Sequence, residues 1–429
     1  MKQHTKRLTG LAVAAALAAP TAAMATNGYF AHGYGAKSKA LGGASVALPL
    51  DTMDAATNPA NMVFAGNHMD LGVALFSPRR SYTVEGNPSG SGFGLAPGKV
   101  DSDSEYFLIP NFGRNWMLDD QSSVGITVYG NGGMNTDYPG FANAFCPVPG
   151  STGTYCAGET GVDLAQLFIA GTYARKINDK AAWGATLIFA YQQFEAKGLG
   201  SFAGYSSDPA NLSNRGKDTS TGFGVKLGIT GEVSPGLTLA ASYQSKMSMS
   251  EFDKYRGLFA EQGDFDIPAT WTVGLAYDVT PRSVLTFDIQ QIQYSDVNSI
   301  ANPMQPNLRN SRLGNDDGAG FGWEDMTVYK IGYQWQGQPG WTWRVGFSTG
   351  SQPIPESEVL FNILAPGVME EHITFGFTKD MGNDMAIDFA AMYAPNSEVS
   401  GNNPLDPTAQ RIKLEMTQFE LAVNWSWKF

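Results

Sequence analysis

Beyond residue 25 the chain holds three histidines, His32, His68 and His372, and two cysteines, Cys146 and Cys156. These are the side chains best suited to catalysis or metal binding, and their arrangement favours neither. A hydrolytic nucleophile needs a base beside it, usually histidine. The sequence has no G-x-S-x-G and no H-E-x-x-H. His68 and His372 belong to opposite ends of the segments they begin. No catalytic residue, cofactor or metal site is therefore assigned, and the chain does not read as an enzyme. The two thiols lie close together in a Gly/Pro-rich stretch and lack partners for a metal. In an oxidising compartment they are expected to form one disulfide stapling a loop.

What remains is chemistry of contact rather than of bond making. Tyr255, Leu258 and Phe259 fall in one irregular stretch, and Phe202, Tyr205 and Leu212 in another. Apolar side chains in such loops form either a landing surface for an oily molecule or ordinary loop packing. Lys226, Lys330 and Arg344 have parity opposite to the apolar residues of their segments. They would face a carboxylate ligand or pair with acids of the same parity, such as Asp288 and Asp388.

The elements that position these residues alternate with period two. Phe419, Leu421, Val423, Trp425, Trp427 and Phe429 share one face against Glu420, Ala422, Asn424, Ser426 and Lys428. Segments around 283–289, 341–347, 373–378 and 387–393 repeat the pattern, the signature of strands with one apolar and one polar face. Six short turns, at 118–121, 178–180, 234–236, 280–282, 337–340 and 382–383, alternate with seven long irregular loops, among them 132–161, 199–216, 299–322 and 395–409. That count gives 14 antiparallel strands with both termini at the short-turn end, which suits a closed transmembrane β-barrel with an outward apolar band. Tryptophans 116, 183, 271, 341, 343, 425 and 427 near strand ends fit interfacial girdles. Parity shifts from Leu285/Phe287/Ile289 to Ile292/Tyr294, and from Ile412/Leu414/Met416 to Phe419/Leu421. Each shift reads either as a bulge or as a strand half standing above the membrane.

Composition agrees. Charged residues are 16%, against roughly 25% in a soluble protein. Gly reaches 50 of 429 residues, the aromatic share is 12%, and mean hydropathy is −0.19, too polar for a helical membrane bundle. Net charge is −12, which excludes a nucleic-acid binder. Lys2, Lys6 and Arg7 precede the apolar run 8–19 and the small-x-small site Ala23-Met24-Ala25, so residues 1–25 read as a signal peptide cleaved before Thr26. Loss of three cations leaves −12 − 3 = −15.

Residues 26–66 are rich in Gly, Ala and Ser and broken by turns, too polar to span a bilayer, and read as a plug within the barrel that occupies 67–429. The segment NGYFAHGYGAKSKALGGASVALPLDTMDAATNPA resembles the N-terminal hatch of the outer-membrane long-chain fatty acid transporter family, which includes channels for toluene, xylene and related hydrocarbons. GWEDMTVYKIGYQW at 322–335, the block 343–377 and MYAPNSEVSG at 392–401 extend the resemblance over essentially the whole mature chain. It implies a monomeric 14-stranded barrel in the outer-membrane lipid, passing a hydrophobic small molecule down its gradient. The implied route is capture at external loops, binding in an internal pocket, and sideways release where the third strand is kinked. Here that strand ends in Tyr129-Gly130-Asn131-Gly132-Gly133, so Asn131, Gly132 and Gly133 are the gate candidates. The tip Asn27-Gly28-Tyr29-Phe30 would insert Tyr29 and Phe30 into the pocket, and Asn58, Pro59 and Ala60 would shape the exit into the first strand. Long-chain fatty acids are the expected cargo and aromatic hydrocarbons the alternative, since the Tyr-Phe tip is closer to the hydrocarbon branch.

Overall fold

A computed structural model of the chain describes residues 27–90 and 93–429; the expected signal peptide lies outside them. Fifteen strands form one antiparallel sheet. They are β1 (His68–Glu85), β2 (Gly98–Asp101), β3 (Phe107–Met117), β4 (Ser122–Tyr138), β5 (Thr160–Asn178), β6 (Ala181–Lys197), β7 (Asp218–Ser234) and β8 (Leu237–Gln244), then β9 (Thr270–Thr280), β10 (Ser283–Ile292), β11 (Met326–Gln336), β12 (Trp341–Gly350), β13 (Glu371–Gly382), β14 (Met385–Asn402) and β15 (Arg411–Lys428). Strand β2 pairs only with the far end of β1, from Ser81 to Val84. The other 14 make the wall, closed where β1 meets β15 from His68↔Lys428 to Glu85↔Arg411. All six short turns lie between the strands the sequence places them between.

The wall is apolar outside and polar inside. In β7, Phe223, Val225, Leu227 and Ile229 are 62%, 47%, 53% and 52% exposed, whereas Lys226 and Thr230, of the opposite parity, are buried. This inverts the pattern of a soluble sheet, as lipid contact requires. No helix among the described residues is long and apolar enough to cross a membrane; the strands do so.

Two expectations change. Strand β4 runs on to Tyr138, leaving 139–159 as its loop rather than 132–161, and β14 continues to Asn402 rather than ending before 395. Nor are the two parity shifts bulges. Strand β10 pairs continuously with β11 from Ser283 to Ile292, and β15 pairs continuously with β1; the irregularity opposite Met416–Gln418, between Ala394 and Ser397, lies on β14. Asp288 and Ile292 are both buried on the inner face, as are Ile412, Leu414, Met416, Gln418 and Glu420. What shifts is the lumen: its inner surface is polar toward the short-turn end and apolar toward the long loops.

Residues 27–66 supply the reason for the polar half, because they pack against it. Asp288 Oδ2 accepts hydrogen bonds from the Ser45 and Val46 amides at 2.8 and 2.9 Å. Asn115 donates to the Met62 and Gly66 carbonyls, and Thr374 to Ala40. The helix Gly35–Ala40 points Lys37 at Asp51 and Asp388, 3.3 and 3.5 Å away, and Lys39 at Glu420. Asp51, Asp70 and Asp388 cluster closely enough to suggest a cation site, but the Lys37 ammonium already occupies its edge, paired to Asp51 and Asp388. Wall glycines give the segment room: a Cβ at Gly346 would lie 2.1 Å from the Leu41 carbonyl carbon.

Replacing Val225, central on the lipid face of β7, by Arg is expected to destabilise the folded barrel in lipid vesicles by about 2–4 kcal/mol. The shift is read from a denaturant titration; an unmoved midpoint would show that this face does not meet lipid.

Candidate functional site

The wall has a side window between β3 and β4. Their pairing runs only from Met117↔Ser123 to Phe112↔Val128. Beyond that, β3 pairs with β1 alone and β4 with β5 alone. The chain preceding β3 closes the top, where the Asp103 amide donates to the Asp137 carbonyl at 2.8 Å. Between these limits β4 loses its alternation: every residue from Thr127 to Thr136 is buried. Both its faces are covered, as for a strand drawn inward out of the wall.

Asn131 is the bulged residue. Gly130 pairs with Leu167 and Gly132 with Gln166, leaving Asn131 without a partner on β5. The free edge of β4 is met instead by the chain's own beginning. The Ala31 amide donates to the Asn131 carbonyl at 3.1 Å, the Gly133 amide donates to the Tyr29 carbonyl at 3.0 Å, and Phe30 bridges Gly132. Only glycine fits at 132, since a Cβ there would lie 1.9 Å from the Tyr29 carbonyl oxygen. The Asn131 side chain accepts from the Tyr34 hydroxyl and donates to Gln166, both at 2.9 Å; Gln166 donates to Gln192, and Gln192 to the Phe265 carbonyl. A buried polar chain thus ties the bulge to an external loop.

Above this level lies the apolar part of the lumen. A cavity of about 510 Å³, counting the part open to the outside, is lined by Phe202, Leu212, Leu258, Phe259, Phe194, Leu313, Phe321, Phe361 and Leu364, with Val162, Ala319, Gly320 and Ser299. No charged side chain faces it. Of the loop residues singled out from sequence, four line this cavity. Tyr255 is buried behind it, its ring 4.9 Å from Phe194. Tyr205 is 41% exposed and is not part of the lining.

Tyr29 and Phe30 do not line the large cavity; they sit beneath it in an aromatic cluster. Tyr29 lies 5.3 Å from Tyr294, 6.0 Å from Trp323 and 6.2 Å from Phe265, and the Tyr294 hydroxyl donates to the Asn27 carbonyl. Trp323 is pinned by its indole N–H to Asn362 at 2.6 Å. Trp323 also borders a smaller cavity of about 220 Å³, counting the part open to the outside. Phe194, Phe265, Tyr294, Phe321, Trp323 and Phe361 were not anticipated. The parity shift at Ile292/Tyr294 was their signal, because it marks where the inner face turns apolar.

Two of the three inward cations hold the N-terminal segment, and the third bonds within the wall. Lys330 donates to the His32 carbonyl at 3.1 Å and lies opposite Asp288 in register, Lys226 donates to the Ala56 carbonyl, and Arg344 is bound by Gln334 and Thr378. Lys226 and Lys330 border a polar cavity of about 470 Å³ beside residues 30–34. Asn58, Pro59 and Ala60 pack against β6 and β7 rather than leading directly into β1: Asn58 donates to the Val46 and Ile229 carbonyls, and a Cβ at Gly184 would meet Pro59 at 2.4 Å. His32 and His372, distant in sequence, stack with ring centres 5.6 Å apart.

Cys146 and Cys156 are disulfide-bonded in the external loop 139–159. Beside the bridge Tyr155 donates to the Leu360 carbonyl at 2.7 Å and packs on Phe202, so this loop braces the cavity. At the opposite rim the Asp264 carboxyl is pushed up to about 7, because burial and the neighbouring Asp266 disfavour its charge; Asp266 itself pairs with Lys246 at 3.0 Å.

A closed 14-stranded barrel, apolar outside and enclosing an oily cavity over a packed N-terminal segment, defines an outer-membrane transport protein for hydrophobic molecules. The sequence pattern of the outer membrane protein transport protein family (OMPP1/FadL/TodX) matches residues 12–426, and the chain belongs to that family. It is a bacterial outer-membrane β-barrel, and its family are transporters rather than enzymes. Among solved structures it is similar to the Pseudomonas putida toluene transporter TodX, with 20% identity, TM-score 0.68, and 93% of this chain and 99% of that one covered. A Pseudomonas aeruginosa FadL homologue gives 14% identity and TM-score 0.69 over 94% and 100% of the two chains. The Ralstonia pickettii toluene transporter TbuX gives 17% and 0.64 over 93% and 99%. No curated protein matches the chain.

Gly132→Val is expected to displace Tyr29, Phe30 and Ala31 from β4. Amide exchange followed by mass spectrometry should show the peptide covering 27–34 exchanging faster than in the wild type. Equal exchange would mean that this pairing does not hold the segment.

Proposed function

We propose that the chain carries hydrophobic molecules, principally long-chain fatty acids, passively from the external loops through the apolar cavity to the window between β3 and β4, and releases them sideways. The observation that carries this reading is the coincidence of three features: the interrupted β3–β4 pairing, the bulge at Asn131 and the pairing of Tyr29, Phe30 and Ala31 to that free edge. An oily solute gains little from a water-filled pore, and an opening in the wall delivers it into lipid instead. Asn131, Gly132 and Gly133 form the gate, and residues 27–66 are the plug that fills the lumen below it. The chain Tyr34–Asn131–Gln166–Gln192–Phe265 offers a physical link between an occupied cavity and the gate, because Phe265 packs on both Phe259 and Tyr29. In this reading the barrel acts as a monomer surrounded by outer-membrane lipid.

Two spaces bordered by adjoining stretches of chain support a chain-like cargo. Phe321 and Leu364 line the large cavity, while Trp323 and Ala365, next along the same segments, line the small one. A flexible alkyl chain can lie across both, whereas a compact ring would occupy one. A second reading, monoaromatic hydrocarbons, draws on the uncharged, phenylalanine-rich lining of the large cavity and on the toluene transporters among the structural neighbours.

Cells lacking their own fatty acid channel and expressing this chain are expected to take up labelled oleate saturably, and to lose most of that uptake when Gly132 and Gly133 are both replaced by Val. Labelled toluene is followed in parallel. Toluene uptake without oleate uptake would move the cargo to the hydrocarbon class and keep the route. Full uptake by the double variant would overturn the lateral route.

A further inference from the structure

Arg80 extends from the inner face of β1 and is 4% exposed. Its Nη2 donates to the Ser104 carbonyl at 2.8 Å, on the stretch that closes the window above, and its Nη1 donates to the Asn135 carbonyl, on the free portion of β4. The guanidinium therefore reaches from one side of the window to the other. Its Nε–H is buried without a hydrogen-bond partner. Among the described residues no carboxylate forms an ion pair with it, in contrast to the neighbouring Arg79, which pairs with Glu105. The nearby carboxylate of Asp163 is already engaged by Asn135 Nδ2 at 2.9 Å and Lys217 Nζ at 3.3 Å. A permanently charged group held out of water without a counter-charge is costly to the fold. Two carbonyl oxygens and the Phe107 ring, 5.7 Å from the guanidinium carbon, solvate the charge without cancelling it.

Arg80 lies at the end of a largely apolar space. It borders the smaller cavity together with Met134, Asn135, Trp323, Gly367 and Met416. Three of these side chains are apolar, and the one polar neighbour, Asn135, has a buried Oδ1 without a partner. Polar hydrogen-bonding capacity is thus left over at one end of an otherwise oily path, beside the window.

We propose that Arg80 is the binding site for the anionic headgroup, of the carboxylate class, of an amphiphilic cargo at the window between β3 and β4. The planar guanidinium suits this task because its Nε edge can receive a carboxylate while the terminal nitrogens keep the carbonyls of Ser104 and Asn135. The alkyl portion then extends past Trp323 into the larger cavity. The site rests on the long-chain reading above and adds where the headgroup is held.

The test measures binding to the purified barrel in detergent of oleate and of oleyl alcohol, which share a chain and differ in headgroup charge. Wild type is expected to prefer oleate. Arg80→Gln should lower the oleate-to-alcohol preference about tenfold, the scale of losing one charged hydrogen-bonding partner, and Arg80→Lys should retain part of it. Heat modifiability on gels reports whether each variant is a folded barrel. Equal affinities for the two ligands in wild type would overturn the proposal with no variant needed. An equal loss of both ligands in folded Arg80→Gln would make Arg80 a strut across the window and overturn it as well. Binding of neither ligand by a wild-type protein that still takes up toluene would instead refute the long-chain reading, and the headgroup site with it.

Discussion

Within a bilayer no backbone N–H or C=O can be left without a partner, and the architecture follows from that demand. Closing β1 on β15 meets it around most of the circumference. The demand is sharpest where β3 and β4 part, since β4 there keeps only one strand neighbour. The bulge at Asn131 draws this edge inward, and the backbone of Tyr29 and Ala31 supplies donor and acceptor from within the lumen. The beginning of the chain thus completes a sheet to which it does not belong. A glycine at 132 is the condition for so close an approach of two backbones.

The lumen divides by height for a related reason. Toward the short turns, residues 27–66 present many backbone groups and two lysines, and the wall answers with Asp288, Asp388, Glu420, Asn115 and Thr374. Such buried ion pairs are a weak source of net stability, yet removing one partner costs about 3–5 kcal/mol, so they fix where the segment sits. Toward the long loops the wall has no such partner to satisfy, and its inner face becomes Ile292, Ile412, Leu414 and Met416. The cavity is where an inward apolar wall meets apolar loops.

Much of the fold was legible because its determinants are local. Turn residues and period-two alternation placed all six short turns and the strand count. The alternation also left an ambiguity: the shifts at 289–292 and 416–419 read either as bulges or as strand halves above the membrane, because an apolar inner face and an apolar outer face carry the same residue types. The true bulge at Asn131 was approached only through its glycines, since it exists by virtue of contact with residues about a hundred positions earlier. Phe202, Leu212, Leu258 and Phe259 were found as loop apolars, but Trp323, Tyr294 and Phe194 gain their meaning from the assembled rings around Tyr29. The lysines at 226 and 330 were correctly placed inward, and their partners, the carbonyls of Ala56 and His32, were beyond any pattern.

The salt bridge from Lys39 to Glu420 and the bond from Ala36 to Asn424 join the first and last parts of the chain. Glu420 and Asn424 belong to β15, the strand that closes the barrel against β1. Residues 27–66 therefore lack two of their anchors until β15 is in place. For the cell this ties quality control to topology: a chain truncated before β15 lacks both its seam and the anchors that seat its beginning, so an incomplete product cannot persist as a sealed but empty pore.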